Sequence, residues 1–416
     1  MRGERSTQLA ARFVVIAALS LAPAVSNAFA RFAYALLLPA MRADLGLSYS
    51  QAGALNSANA LGYLAGALFA ARYVSRYGNR NLFCAGMIAA VAAVIGCGVT
   101  SDFTVQLALR ALGGASGAVV FICGAVLASN VFPGQPRHSS TATAIYFGGA
   151  GLGLLISGVG IPFALEYAGD HAWPGAWLAL GALSALFANM AMWAAYQVVE
   201  PAGGAPSGRW PVAQLAPALS SYFLFGLGYI AYMTFAVAWM MSHGARAFAV
   251  ALTWGTLGAA TMLAPLIWRV PRARWHSSRV LAATGIVLAI GAAIPLLSTS
   301  LSAMVLSAAL FGSAMFTVPT GVTDLVKTSL PKATWGTAMA VFTIAFGVGQ
   351  VIGPVVTGWL ADGTGSLLAG LAASVAILVA AAAVALLQRP MSVIDRATPE
   401  RGRRLFLVSS LPSPKV

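Results

Sequence analysis

The chain reads as an all-α integral membrane protein of twelve transmembrane helices in two six-helix pseudo-repeats, with both termini cytoplasmic. Three observations predict this. Of its 416 residues, 59% are hydrophobic and only 8% charged, against about 25% charged in soluble proteins. Twelve stretches are apolar for the roughly 20 residues that a helix needs to cross a bilayer. Nearly all the positive charge falls on one side of those stretches. So few charges cannot cover a water-facing surface. A soluble enzyme, a disordered chain and a secreted disulfide scaffold are thereby excluded.

The first half holds spans at 13–40, 50–71, 82–100, 103–129, 142–165 and 175–197. Span 1 follows Arg2, Arg5 and Arg12, and its apolar run continues through Leu36 and Leu37 to Pro39. That is too long for a cleaved secretory signal, so the run is expected to stay as a span. Arg72, Arg76 and Arg80 separate spans 2 and 3, Asp102 precedes span 4, Arg137 lies between spans 4 and 5, and Asp170 follows span 5. Charged residues, Gly and Pro at these points end helices or sit in loops.

Residues 200–211 (EPAGGAPSGRWP) form the longest polar break, with six spans on each side. The second half holds spans at 213–241, 248–268, 280–298, 301–326, 334–360 and 366–388. The expected organisation is a six-helix half at 1–199, a cytoplasmic linker at 200–211, a second half at 212–390 and a basic cytoplasmic tail at 391–416. With the N-terminus inside, 20 of the 24 Lys and Arg lie on the cytoplasmic side and only Arg42 and Arg246 outside. Asp44, Asp102, Glu166, Asp170 and Asp362 all fall outside. The net charge of +14 therefore orients helices by the positive-inside rule and says nothing of nucleic acid.

The two remaining arginines lie within spans, where ionisable residues are costly and tend to be functional. Arg31 in span 1 and Arg110 in span 4 sit ~12 and ~10 Å below the outer helix ends by the 1.5 Å rise. Neither has an acidic neighbour at i±3 or i±4. Facing one water-filled cavity, they would bind an anion, since a guanidinium matches the fork of a carboxylate. Alternatively, each bonds backbone carbonyls or snorkels to lipid headgroups. Asn27, Arg31 and Tyr34 share a helical face, as do Asn56, Asn59 and Tyr63 on span 2. Span 7 aligns Tyr222, Phe225, Tyr229 and Tyr232, and span 11 aligns Thr343, Gly347, Gln350 and Pro354. A substrate site is expected from Arg31, Arg110, Asn27, Tyr34, Tyr229, Tyr232 and Gln350.

Asp324, near the inner end of span 10, is the one acidic candidate for proton coupling; the alternative is an interfacial carboxylate near Lys327. Gly149/Gly153 and Gly349/Gly353 have the small-xxx-small spacing that lets helices approach and bend. Cys84, Cys97 and Cys123 show neither CxxC nor His/Cys spacing, so no metal or cofactor is expected.

Span 4 reads Leu109-Arg110-Ala111-Leu112-Gly113-Gly114-Ala115-Ser116-Gly117, and the span 2–3 loop reads Ser75-Arg76-Tyr77-Gly78-Asn79-Arg80. Both resemble motifs of the major facilitator superfamily, except that Ser75 stands where the loop signature carries Asp, removing the carboxylate of the inner-gate charge relay. Arg31-Phe32-Ala33-Tyr34 with Leu37-Leu38-Pro39, Asn59 to Tyr63, and Phe346 to Gln350 through Gly353-Pro354 and Ala361 to Ser366 resemble the bacterial YbfB/YjiJ-type permeases. The resemblance implies that spans 1, 4, 7 and 10 line a central cavity. It also gives Arg76, Gly78 and Arg80, with Gly149, Gly153, Gly353 and Pro354, a gating or conformational role.

The expected function is secondary transport of a small organic anion across the bacterial inner membrane by alternating access. The protein would act as a monomer, with a co-transported proton or a counter-transported anion. A proton-coupled exporter of amphipathic drugs is the second reading. A membrane enzyme is the third, disfavoured because no paired carboxylates, His or Cys constellation lies in the spans.

Overall fold

The computed structural model describes residues 2–200, 212–331 and 334–390. Most of the expected linker, from residue 201 on, and the tail at 391–416 lie outside the described residues. So do Arg209 and Lys332.

The described chain is helical throughout, with short 3-10 turns at Asp170–Ala172 and Val212–Leu215. The first half comprises α1 (Arg2–Leu19), α2 (Leu21–Pro23), a π-helical segment (Ala24–Phe32), α3 (Tyr34–Leu45), α4 (Tyr49–Tyr77), α5 (Asn79–Cys97), α6 (Phe103–Ser129), α7 (Pro136–Ala168) and α8 (Trp173–Tyr196). The second comprises α9 (Ala216–Ser242), α10 (Ala247–Ile267), α11 (Arg269–Arg274), α12 (Ser277–Leu297), α13 (Leu301–Met315), α14 (Thr317–Ser329), α15 (Trp335–Thr364) and α16 (Leu367–Leu386).

Eleven helical stretches among the described residues are long and apolar enough to cross a membrane. The expected second span, α4, is 29 residues long but is not one of them. Its interior carries Asn56, Ser57 and Asn59, all buried, so its polar groups face protein. Polar residues inside a bilayer take that course because lipid offers them no partner.

Two expected spans are not continuous α-helix. Span 1 runs Leu9–Leu45 but becomes π-helical from Ala24, directly after Pro23. Span 10 breaks at Phe316, between α13 and α14, three residues before Pro319. In both places proline lacks the N–H that would bond the carbonyl four residues back. The freed carbonyl is the physical reason the regular helix expected there is interrupted.

Small residues set the packing. A Cβ on Gly62 or Gly66 of α4 would overlap the carbonyls of Ala111 or Ala115 on α6, and one on Gly114 would overlap the Asn59 carbonyl. Without a hydrophobic force between helices in lipid, such backbone approach supplies the attraction. Two seams join the halves. Along one, Gly53 of α4 faces the Pro354 carbonyl of α15, and Gly358 faces Tyr49; along the other, Gly151 of α7 meets Gly258 of α10.

Candidate functional site

The site is built around the irregular part of span 1. In the π-helical segment the hydrogen-bond register lengthens, and the Ala33 N–H donates to the Ala28 carbonyl at 2.7 Å. A change of register leaves carbonyls at the junction short of a helical donor. The Arg110 guanidinium of α6 supplies donors there, 2.7 Å to the Ala30 carbonyl and 3.2 Å to the Arg31 carbonyl. Asn59 Nδ2 adds a 3.3 Å bond to the Ala30 carbonyl and a 3.0 Å bond to the Arg110 carbonyl. Arg110 is 1% exposed and lies over the rings of Tyr34 and Trp177. The void beside it, lined by residues including Cys97, Leu109 and Trp177, has no room for a water molecule.

Arg31 is in different company. Its guanidinium donates to the Tyr229 hydroxyl of α9 at 3.4 Å, across the two halves. It rests 4.8 Å from the Tyr63 ring centroid and 5.4 Å from that of Phe32. Among the described residues no carboxylate pairs with it; the ion pair they contain is Arg272–Asp324. Arg31 thus holds a full charge at 5% exposure with one long hydrogen bond and four further N–H donors. The burial is costly unless a partner arrives from outside the chain.

Beside Tyr229 stands a wall of parallel rings. Tyr222 stacks on Phe346 at 4.7 Å and 11°, and Phe225 on Tyr229 at 4.7 Å and 16°. Phe225 and Tyr229 also stack on Phe346, at 5.5 and 5.7 Å. Offset stacking of this kind is favourable in itself. Phe346 and Tyr63 are only partly buried, whereas the α9 rings are buried.

The two arginines are therefore brought together, but through the Arg31 backbone rather than as paired guanidiniums. The expected shared face of Asn27, Arg31 and Tyr34 is broken by the π register. Asn27 Nδ2 donates to Ser26 Oγ, and the Tyr34 hydroxyl donates to the Ala52 carbonyl at 2.7 Å. Tyr232 leaves the α9 ring wall: it stacks on Phe311 at 4.2 Å and shares a 2.6 Å bond with Ser307. Gln350 is 1% exposed, and neither atom of its amide has a partner. It follows Phe346 by one helical turn on α15.

Asp324 accepts from Arg272 Nε at 2.9 Å and pairs with its NH2 at 2.8 Å; Lys327 lies near Trp335 instead. In the loop motif, Arg76 lies over the Tyr77 ring, and Gly78 adopts φ +79, which favours glycine. Arg80 donates to the Ala195 and Val198 carbonyls, and Glu200 accepts from the Asn79 and Arg80 N–H groups. These contacts join residues of the first half to one another and to Glu200, the first residue of the expected linker. Gly149 and Gly153 seat span 1 at Ser20 and Ala24, while Gly353 seats α9 at Leu227.

Two contributors lie outside the expected set. Thr234 accepts from Asn56 Nδ2 at 2.5 Å, and Asn56 Oδ1 lies 3.4 Å from Arg110, so α6, α4 and α9 are linked across the halves. Its signal is that it is the one Ser or Thr between Tyr222 and Met241. Asp362, expected in an outer loop, belongs to α15, where it accepts from the Tyr49 and Ser50 N–H groups; nothing in its neighbours in sequence points to that partner.

The same arrangement of helices recurs in solved transporters. A bacterial homologue of the human lysosomal transporter Spinster, in an inward-facing and unoccupied conformation, superposes with a TM-score of 0.68 at 17% identity, over 91% of this chain and 96% of that one. The nucleoside transporter NupG gives 0.67 at 12% identity, over 90% and 98%. At such identities the likeness is one of fold. No curated protein matches the chain. Residues 24–386 match the family described as "Uncharacterised MFS-type transporter YbfB". The chain belongs to that family of the major facilitator superfamily, and it is a multi-pass membrane protein and a secondary transporter.

Proposed function

We propose that the protein carries a small organic anion, a carboxylate, across the bacterial inner membrane, and that Arg31 is its ligand. The observation that carries this reading is the Arg31 guanidinium: buried, without a carboxylate among the described residues, and held by one 3.4 Å bond to Tyr229. A carboxylate docking on its fork would supply the missing charge and two hydrogen bonds at once. Arg110 acts differently. Its terminal nitrogens are engaged on the Ala30 and Arg31 carbonyls, and the void beside it has no room for a water molecule, so it positions Arg31 and does not itself meet substrate.

The Arg31–Tyr229 and Asn56–Thr234 bonds both join the first half to the second. A substrate displacing Tyr229 from Arg31 would loosen one of these ties. That couples binding to the rocking of two halves about a central site, as alternating access requires. The end carrying Arg72, Arg76, Arg80 and Arg269–Arg274 is cytoplasmic by the positive-inside rule. The pairing of Asp324 with Arg272 supports a structural role for that carboxylate, which leaves anion exchange or a proton carried with the substrate as the driving mode.

The test is uptake and exchange in proteoliposomes with carboxylates, sulfonates and lipophilic cations, comparing parent and Arg31→Ala protein. Arg31-dependent carboxylate transport is expected. Transport of lipophilic cations in preference to every anion would favour the exporter reading instead.

A further inference from the structure

We propose that the turn between spans 8 and 9 holds the headgroup of an anionic phospholipid, and that this lipid braces the break in span 10. The site is separate from Arg31 and does not depend on what Arg31 binds. Charge comes first. Arg269, Arg272, Arg274 and Arg279 follow one another from the end of α10 to the first turn of α12, and the sequence holds no Asp or Glu between Glu200 and Asp324. Asp324 is taken by Arg272. Arg269, Arg274 and Arg279 are exposed and make no ion pair among the described residues.

The surroundings of these charges come second. Leu266, Ile267, Val270 and Trp275 are exposed within the same stretch. That mixture suits the edge of the hydrocarbon: apolar side chains meet acyl chains, the tryptophan lies at headgroup level, and guanidiniums reach phosphate. A guanidinium fork matches two oxygens of a phosphodiester. Free phosphate would answer the charge and leave the apolar side chains uncovered, whereas an anionic lipid covers both.

The third element is where the turn is anchored. Trp268, buried directly before Arg269, donates from its Nε1 to the Ser313 carbonyl at 2.9 Å. Arg272 pairs with Asp324 at 2.8 Å. Ser313 belongs to α13 and Asp324 to α14, on either side of the interruption at Phe316. The turn therefore straddles the break. No continuous helix fixes the angle between α13 and α14 there, so side-chain ties of this kind help to set it. A headgroup drawn to Arg269, Arg274 and Arg279 holds the turn in the interface, and the two ties pass that restraint to both pieces of span 10.

Purified full-length protein is reconstituted with brominated phosphatidylglycerol or brominated phosphatidylcholine, and quenching of Trp275 is read as the difference between parent and Trp275→Phe. Phosphatidylglycerol should occupy the site about five- to thirtyfold more tightly than phosphatidylcholine. Arg269→Gln, Arg274→Gln and Arg279→Gln together should bring that preference below about twofold, while the same three changes to Lys keep most of it. Thermal unfolding in phosphatidylcholine verifies that both variants fold. In the parent, phosphatidylglycerol should also slow hydrogen exchange of the Phe316 to Asp324 amides several-fold, and in the glutamine variant it should not. Equal quenching by the two lipids in the parent overturns the lipid site and leaves the arginines as orienting charges alone. Exchange slowed as much by glycerol phosphate as by lipid overturns the lipid assignment in favour of a soluble phosphate. A preference for phosphatidylglycerol without slower exchange overturns the brace.

Discussion

Asp362 makes a contact whose removal should shift the equilibrium between conformations. Its Oδ1 accepts the Tyr49 N–H at 2.8 Å, and its Oδ2 accepts the Ser50 N–H at 2.9 Å and the Ser50 hydroxyl at 2.5 Å. The carboxylate of α15 thus caps the first turn of α4, where unsatisfied N–H groups and the positive end of the helix dipole favour an anion. Ser48 and Gln51 form a capping box at the same helix end, so Asp362 completes a terminus that is already half satisfied. The bond crosses a seam between the halves. Among the described residues the far seam end shows no equivalent: Ser75 stands where the loop signature carries an acidic residue, Arg80 donates to the Ala195 and Val198 carbonyls, and Glu200 accepts from the Arg80 N–H.

Its strength follows from the kinds of bond. An acidic helix cap is worth about 1 kcal/mol and a charge at the dipole about 0.3–1 kcal/mol. Asp362 is exposed, so screening by water puts the total near ~1.5 kcal/mol. That is about a tenfold change in population. Asp362→Ala should therefore open this end about tenfold more often, and Asp362→Asn should fall between, keeping an acceptor but losing the charge. Spin labels at Tyr167→Cys and Leu297→Cys, exposed tips of α7 and α12 in the two halves, report the opening as a longer distance component. A distance distribution for Asp362→Ala indistinguishable from the parent would refute the latch.

Three further outcomes follow from the site. Arg31→Ala should lower kcat/KM for the best carboxylate by at least about 100-fold, the scale of losing a charged bidentate contact; Tyr229→Phe, which removes one weak bond, should change it only a few-fold, both read by proteoliposome uptake. Arg110→Lys should destabilise the fold by about 3 kcal/mol, since a point charge cannot serve the Ala30 and Arg31 carbonyls together, measured by thermal unfolding in detergent. Asp324→Asn should leave kcat/KM for the best carboxylate within about threefold of the parent, because its carboxylate pairs with Arg272, and the reversed pair Asp324→Arg with Arg272→Asp should recover the stability that either single change loses.

The spans were legible because lipid enforces them: a backbone that finds no water must bond to itself, so long apolar runs become helices. The composition of α4 was legible too, but its consequence differed. Asn56 and Asn59 lower its apolar character below that of its eleven companions, and their partners, Thr234 and the Ala30 and Arg110 carbonyls, lie on other helices. The irregular stretches were half legible. Pro23 and Pro319 announce an interruption, yet a missing N–H can be absorbed as a kink, a break or a π register. Here Pro23 leads to a π register and Pro319 to a break.

The same ambiguity governs the two arginines. Spacing along spans 1 and 4 puts both at one depth, and at that depth a guanidinium can serve a ligand or a backbone. What separates them is the register of span 1, because a π turn exposes carbonyls that a regular helix would keep. Carbonyls belong to every residue alike, so no side-chain pattern marks Ala30 and Arg31 as acceptors for Arg110. Those carbonyls take the terminal nitrogens of Arg110, while Arg31 has no internal counter-charge among the described residues. One arginine is thus spent on the backbone of span 1 and the other is left for chemistry. If span 1 straightened during transport, the Ala30 and Arg31 carbonyls would return to the helix and free Arg110. Hydrogen exchange of the Ala28–Leu36 amides, slow in one conformation and faster in the other, would register that change.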